Sequence, residues 1–410
     1  VPDPVQSNER YPMTSTKAKA TPFVDWYGIW AGHGGTGKDG LSWIQDPPLG
    51  DLRLAVQEGI WSEPQFTSVE RSWEAGGVTP NHIVYQDGTL KMWYRATGEN
   101  ATTYVAYAES DDGFSWRRPE VGLVEYNGSK ANNLLHEESY HGLYRVFRDN
   151  SAPPEERYKS TIPRGRYYVD GVVDSNISKE EFKKMRHAMQ HEGFAHDEIK
   201  KKLEIHQIII GAVSPDGLRW TVLEEPLRDL GSHTLDGEYS TLYDEERGEY
   251  VAYHRGHWER RRSIRRSSAR KFDEWNDPQF VFMPDAQDPI DVDVYAAGYC
   301  RYPGGDLHLM FLPFYHRNTS TVDIQLATSR DGLLWGRPER VPIIARGVYG
   351  CLYTIADIVP LDDETWGLMF VGNPGRHDFR TDPMDDRPRE PADWRWATWK
   401  RERLVALESS

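Results

Sequence analysis

Cysteine is almost missing from this chain: 410 residues carry two, Cys300 and Cys351. Two thiols cannot build a disulfide framework, and both lie near expected inner strands, so they read as buried free thiols. Long apolar runs are missing as well. No stretch approaches the roughly 20 residues of a membrane-spanning helix, and none has the apolar centre of a signal peptide. With Val1 in first position, a leader removed earlier stays open, and the expectation leans weakly to the cytoplasm. Basic residues are in deficit. Lys and Arg number 49 against 64 Asp and Glu, a formal net charge of −15, which argues against a nucleic-acid partner. Aromatics are plentiful at 12%, with 15 Trp. They supply a full core and leave flat rings for a carbohydrate-like ligand.

One phrase recurs. Ser110-Asp111-Asp112-Gly113-Phe114-Ser115-Trp116 returns as Ser214-Pro215-Asp216-Gly217-Leu218-Arg219-Trp220 and as Ser329-Arg330-Asp331-Gly332-Leu333-Leu334-Trp335. A degenerate copy runs from Ser268 to Trp275. Each follows an alternating strand, Asp-Gly supplies a tight turn, and Trp anchors what comes next. A strand-turn repeat of this period predicts an all-β fold made of blades, a β-propeller. Inner strands are expected at Asn81–Tyr85, Gly142–Arg148, Tyr239–Tyr243, Tyr295–Arg301 and Tyr353–Val359, hence five blades over residues 49–407. Leu52–Val56 is expected to complete the last blade from the other end of the chain, which removes an open sheet edge.

Trp220, Trp275 and Trp335 are spaced by 55 and 60 residues, but Trp116 and Trp220 by 104. The excess predicts a helical insertion in blade two, about residues 165–206. Ser178 and Glu181 form a capping box, Phe182, Met185 and Met189 recur at helical spacing, and Gly193 ends the run. Asp197–Glu204 reads as a second helix. Residues 1–48 read as an irregular arm. The insertion or the arm could serve a homo-oligomer contact, and the insertion could alternatively form a lid or pack on the propeller side.

The blade grammar resembles the five-bladed arabinanase, levansucrase and invertase superfamily, glycoside hydrolase families 32 and 43. Pro80-Asn81-His82-Ile83-Val84-Tyr85-Gln86-Asp87-Gly88 resembles the first blade of family 32. The position of that family's nucleophile is Thr79 here, which removes the invertase-type retaining step. Glu238, leading into Tyr239–Tyr243, matches the register of the family's acid. The blade-two Arg-Asp-Pro phrase has no counterpart. The resemblance implies a glycosidase with a carbohydrate substrate and no required cofactor. A structural Ca²⁺ in the central channel, as in some family 43 relatives, would have no marked ligands.

The starts of propeller inner strands face a funnel, where ligands collect. Register places His141, Asp236 and Asp293 at one level, with Glu238 and Asp291 two residues away on the same side. Glycoside hydrolysis needs one carboxyl to donate a proton and another to act as base or nucleophile. Glu238 is the candidate acid, with Asp236 or Asp293 as base or as a charge that tunes it. Both aspartates could instead be turn residues bonding backbone N–H groups. Glu137 and Glu138 are weaker candidates. Glu74, Asn81 and His82 flank the blade-one entrance.

Polar residues ending the second strands (Arg95, Arg255, His316, Arg317, Asn373, Arg376, His377) could bind hydroxyls, a carboxylate or a phosphate, or form rim salt bridges. Trp73, Trp258, Tyr295 and Tyr353 could stack on a sugar. His254 and His257 fall on opposite strand faces, so no zinc pair is expected. The basic run Glu259–Arg266 reads as a solvated hairpin, with an anionic substrate or a subunit contact as the alternative. The expected function is a glycosidase. A catalytically silent carbohydrate-binding propeller and a glycosyl transferase or phosphorylase are the alternatives.

Overall fold

The computed structural model describes residues 24–25, 34–36, 42–44, 52–67, 71–99, 101–137, 143, 145–174, 177–231, 239–259, 261–378 and 392–409. The described chain is mostly β-strand, with two α-helices. No described helix is long and apolar enough to cross a membrane.

The strands form five antiparallel meanders in succession. The first is Gly77–Gln86, Thr89–Thr97, Thr103–Ser110 and Leu134–Glu137. The second is Arg145–Arg148, Tyr158–Val169, Leu203–Ser214 and Thr221–Asp229. The third is Tyr239–Asp244, Glu249–Trp258, Arg261–Ala269 and Gln279–Phe282. The fourth opens with an interrupted inner strand, Val292–Val294 and Gly298–Arg301, followed by His308–His316, Thr321–Ser329 and Pro342–Ile344. The fifth is Cys351–Pro360, Thr365–Asn373, Asp393–Lys400 and, from the far end of the chain, Ile60–Trp61. The first strands of the five touch one another in cyclic order, the fifth returning to the first. The core lies between neighbouring meanders. Trp93, Ile208 and Ala212 join the first two, Ile209, Val251 and Tyr299 the second to the fourth, Leu309, Leu352 and Phe370 the last two, and Tyr94, Met369 and Trp396 close the circle. Each large apolar side chain buried there is worth roughly 1.5–3 kcal/mol.

The repeated phrase explains part of that closure. In all three copies the Ser hydroxyl accepts the Gly N–H at 2.9 Å. The Asp carboxylate accepts the next two backbone N–H groups at 2.7–2.8 Å. The glycines sit at φ of +79°, +76° and +70°, where a side chain is strained. Each glycine carbonyl accepts its own Trp indole and a second donor from the preceding meander. These donors are Trp396 Nε1 to Gly113 at 2.9 Å, Trp93 Nε1 to Gly217 at 2.7 Å and the Tyr253 hydroxyl to Gly332 at 2.6 Å.

Three expectations need correcting. Leu52–Val56 does not complete the fifth meander. It pairs with Val405–Ser409 as a separate two-stranded ribbon, and Ile60–Trp61 pairs with Thr398 and Ala397 instead. Both segments alternate, but Trp61 reaches Tyr349 and Phe370 at 5.4 Å ring separation. The extra sequence in the second meander begins as strand, because Tyr158–Val169 and Leu203–Ser214 pair along twelve residues. Helices α1 (Lys179–His191) and α2 (His196–Lys202) sit at the tip of this ribbon. Ser178 and Glu181 form the capping box. Phe182, Ile199 and Met189 pack on Tyr167, Val169 and Ile205 of the ribbon. Lastly, Arg261–Ala269 is itself a central strand, so the basic run is not a solvated hairpin.

Candidate functional site

In the first, third, fourth and fifth meanders, antiparallel pairing puts the start of the inner strand near the end of its second strand. Thr79 faces Arg95, Tyr239 faces His254, Asp293 faces Tyr315, and Cys351 faces Asn373. Polar residues that are scattered in sequence therefore gather at one end of the ring. There an open cleft of about 460 Å³ is lined by His257, Arg262, Asp293, Tyr315, Arg317 and Asp378.

Asp293 is the centre of this cleft's charge. It is fully buried, and a buried carboxylate requires partners. Arg317 donates Nε to Oδ2 at 3.1 Å and adds a second bond from its terminal nitrogen. Arg262 donates its backbone N–H to Oδ1 at 3.3 Å and its guanidinium to Oδ2 at 3.4 Å. Arg261 Nε lies 3.7 Å from Oδ1, and its terminal nitrogen donates to the Val292 carbonyl. Alternation alone would send Arg261 and Arg262 to opposite faces. At the strand's first residues both long side chains reach the same carboxylate.

Aromatic rings hold the cations in place. The Arg262 guanidinium lies 5.3 Å from the rings of both Tyr295 and Tyr315, and Arg255 lies 5.1 Å from Tyr295, within cation–π range. Tyr295 meets Tyr353 at 5.5 Å and His377 at 5.1 Å. Asp378 accepts from the Tyr315 hydroxyl and lies 2.7 Å from His377 Nδ1. The Tyr315 bond, ahead of the His377 contact, holds the Asp378 carboxyl below the usual range.

Four inner strands share a second polar cluster. Arg145 donates to Asp357 at 2.7 Å and to the Tyr299 carbonyl at 2.6 Å, while His82 Nε2 lies 3.2 Å from Asp357. Burial opposes the Asp357 charge, but Arg145 and His82 together outweigh it and hold the carboxyl low. Burial likewise lowers His82 and pushes the Cys300 thiol up to about 12.

Of the residues singled out in the sequence, Asp293, Arg255, Tyr295, Arg317, Tyr353 and His377 come together at the cleft. His316 is adjacent and pairs with Asp323 at 2.7 Å. Asn373 ends its strand at the same level and accepts the Gly375 N–H at 3.1 Å, and Arg376 follows it in the connection. Arg95 lies 3.5 Å from the Thr79 hydroxyl, and Asn81 donates to the Leu143 carbonyl at 3.3 Å. Trp258 is 54% exposed beside Phe280, with rings 5.7 Å apart.

Glu74 and Trp73 go elsewhere. Glu74 is buried, accepting from Tyr94 at 2.6 Å and Arg118 at 2.7 Å, and Trp73 donates to Asn133 at 2.8 Å against Tyr126. Arg118 and Asn133 lie too far along the chain for a local pattern to reveal these pairings. His141, Asp236, Glu238 and Glu138 lie outside the described residues. Among the described residues no cluster of three or more His, Cys, Asp or Glu could hold a metal ion, so the Ca²⁺ expectation gains no ligand set there. Asp357 and Asp378 were not foreseen. For Asp357 the signal was an acid inside the apolar run Ile355–Val359, whereas Asp378 follows no repeat.

No family model and no curated protein matches the sequence. Solved structures do match. A glycoside hydrolase aligns with a TM-score of 0.45 at 10% identity over 83% of this chain and 92% of its own. A beta-fructofuranosidase from Bombyx mori gives 0.42 at 8% identity, over 73% and 55%. A mannose phosphorylase from Leishmania mexicana, in complex with phosphate ion, gives 0.43 at 11% identity, over 85% and 89%. Such distant likeness leaves the chemistry of the cleft itself as the ground for any activity.

Proposed function

We propose that the five meanders are the blades of a five-bladed propeller, and that the chain is a carbohydrate-active enzyme cleaving a glycosidic bond at the mouth of the ring. The observation that carries this reading is the cleft. Strand ends of the third and fourth meanders, with Asp378 after the fifth, converge on one polar hollow lined by Tyr315 and backed by Tyr295 and Tyr353, and sugars need both ring faces and hydrogen-bonding groups. Glu238, which immediately precedes Tyr239 at the start of the third inner strand, is assigned as general acid, and Asp236 as the base. Asp293 is fully enclosed by guanidiniums, which suits it to positioning Arg262 and Arg317. Thr79 stands beside Arg95 where a retaining nucleophile would be expected, and this favours inversion, in which a water attacks from the opposite face.

A screen of aryl glycosides (arabinofuranosides, fructosides, galactosides, glucosides and uronides) with the wild type and Glu238→Gln tests the assignment. Hydrolysis lost by 10²-fold or more in the variant supports Glu238 as the acid. Undiminished hydrolysis removes that role from Glu238. Sugar binding without turnover of any glycoside replaces the reading with a carbohydrate-binding propeller.

A further inference from the structure

We propose that the Arg262–Arg317 face of the cleft is an oxyanion subsite, holding a carboxylate or phosphate group of the molecule on which the enzyme acts. The proposal rests on the carbohydrate-active reading and names its substrate class.

Donors outnumber acceptors around Asp293. Three guanidiniums carry roughly five N–H donors each, whereas one carboxylate offers about four acceptor sites. Oδ2 is occupied by Arg317 and Arg262, and Oδ1 by the Arg262 backbone with Arg261 near it. Among the described residues no second carboxylate pairs with Arg262 or Arg317, and both line the hollow. Their side chains are 24% and 50% exposed, above a carboxylate that is 0% exposed. Among the described residues two other acids stand close, and each is engaged elsewhere. Asp378 is taken by Tyr315 and His377, and Asp291 accepts the Asn318 N–H at 3.3 Å.

Both guanidiniums are also held by contacts within the chain itself. Arg262 is fixed by the two tyrosine rings, and Arg317 is held through two of its nitrogens. A guanidinium ordered in advance loses little freedom on binding, and its planar fork matches the two oxygens of a carboxylate or phosphate. A neutral sugar needs no such pair of cations. Arg262 and Arg317 are the cations that line the hollow, and both are more exposed than the Asp293 carboxylate beneath them.

Isothermal titration of the full chain with sodium glucuronate, inorganic phosphate and glucose tests this. One of the two anions should bind and glucose bind at least tenfold more weakly. Glucuronate binding identifies a substrate carboxylate, and phosphate binding a phosphate group. Arg317→Gln and Arg262→Gln should each lose tenfold or more in affinity for the anion, while Arg53→Gln, a surface residue paired with Glu339 and Glu408, should not. Arg317→Lys provides a charge-conserving check should a Gln variant fail to fold, and it should recover part of the loss. Absence of anion binding by the wild type overturns the proposal, as does affinity unchanged in folded Arg variants. A neutral aryl glycoside cleaved by a wild type that binds neither anion removes the anion subsite but keeps the enzyme reading. Anion binding that depends on both arginines, with no glycoside cleaved, keeps the subsite and removes that reading.

Discussion

The bond from Tyr253 to Gly332 offers a test of how neighbouring meanders are tied together. Tyr253 is fully buried, and its hydroxyl donates to the Gly332 carbonyl at 2.6 Å, which also accepts Trp335 Nε1 at 3.2 Å. Tyr253→Phe deletes one oxygen and little volume, so its cost should be that of one buried hydrogen bond, about 1 kcal/mol. Trp335→Phe leaves the Tyr253 bond in place and should cost about 1 kcal/mol for the lost indole bond, with some packing in addition. Each single variant leaves the carbonyl one donor. The double variant leaves it none, and an orphaned buried carbonyl costs a further ~1–3 kcal/mol. The double-mutant cycle should therefore show a destabilisation exceeding the sum by at least about 1 kcal/mol. Equilibrium urea unfolding followed by far-ultraviolet circular dichroism measures all four proteins. A double variant that equals the sum of the singles, within about 0.5 kcal/mol, would refute the idea that this carbonyl depends on a donor from across the junction.

Two further predictions follow from the same structure. Gly217→Ala puts a methyl group at φ +76° with its Cβ 2.9 Å from Trp93, whereas Gly171→Ala has φ +79° and open space. Urea midpoints should show Gly171→Ala costing about 1–2 kcal/mol for the backbone alone and Gly217→Ala ~1–3 kcal/mol more for overpacking; equal losses would exclude the clash. His316 is held above its ordinary value by its hydrogen bond to Asp323, so its stabilisation is complete below the unfolded value near 6.5 and is lost as pH rises through the higher folded value. His316→Asn should therefore lower the urea midpoint at about pH 5.5 and have little effect at about pH 9. A loss that is the same at both would show that the imidazole contributes by packing.

Local signals carried most of the fold. The Ser-x-Asp-Gly-x-x-Trp phrase writes its turn into adjacent residues, because Ser110, Asp112 and Gly113 satisfy one another within three positions. The Ser178 capping box is equally local. What escaped depends on partners far along the chain. Leu52–Val56 and Ile60–Trp61 have similar patterns, and only their partners, Val405–Ser409 and Ala397–Thr398, separate them. Alternation also fails where a strand is broken. Tyr295 bonds the Pro313 carbonyl at 2.7 Å between two short inner segments, a detour that a continuous strand over Tyr295–Arg301 does not contain. The cleft was half legible. Its second-strand residues were found from their common level, but Arg262 looked like one more solvated charge until Asp293 was found beneath it.

The strand that completes the fifth meander has a consequence for the order of events during synthesis. Ile60 waits for Thr398, 338 positions later, before its carbonyl receives the Thr398 hydroxyl at 3.0 Å. At roughly 5–20 residues per second on the ribosome, that delay is about 17–70 s. Until then the outer edge of the fifth meander, Asp393–Lys400, lacks its last strand. The strand that completes that edge is two residues long, and Ile60 is 75% exposed. A late contact is thus also a thinly insulated one, and the outer edge of the fifth meander should fray there first under heat or protease.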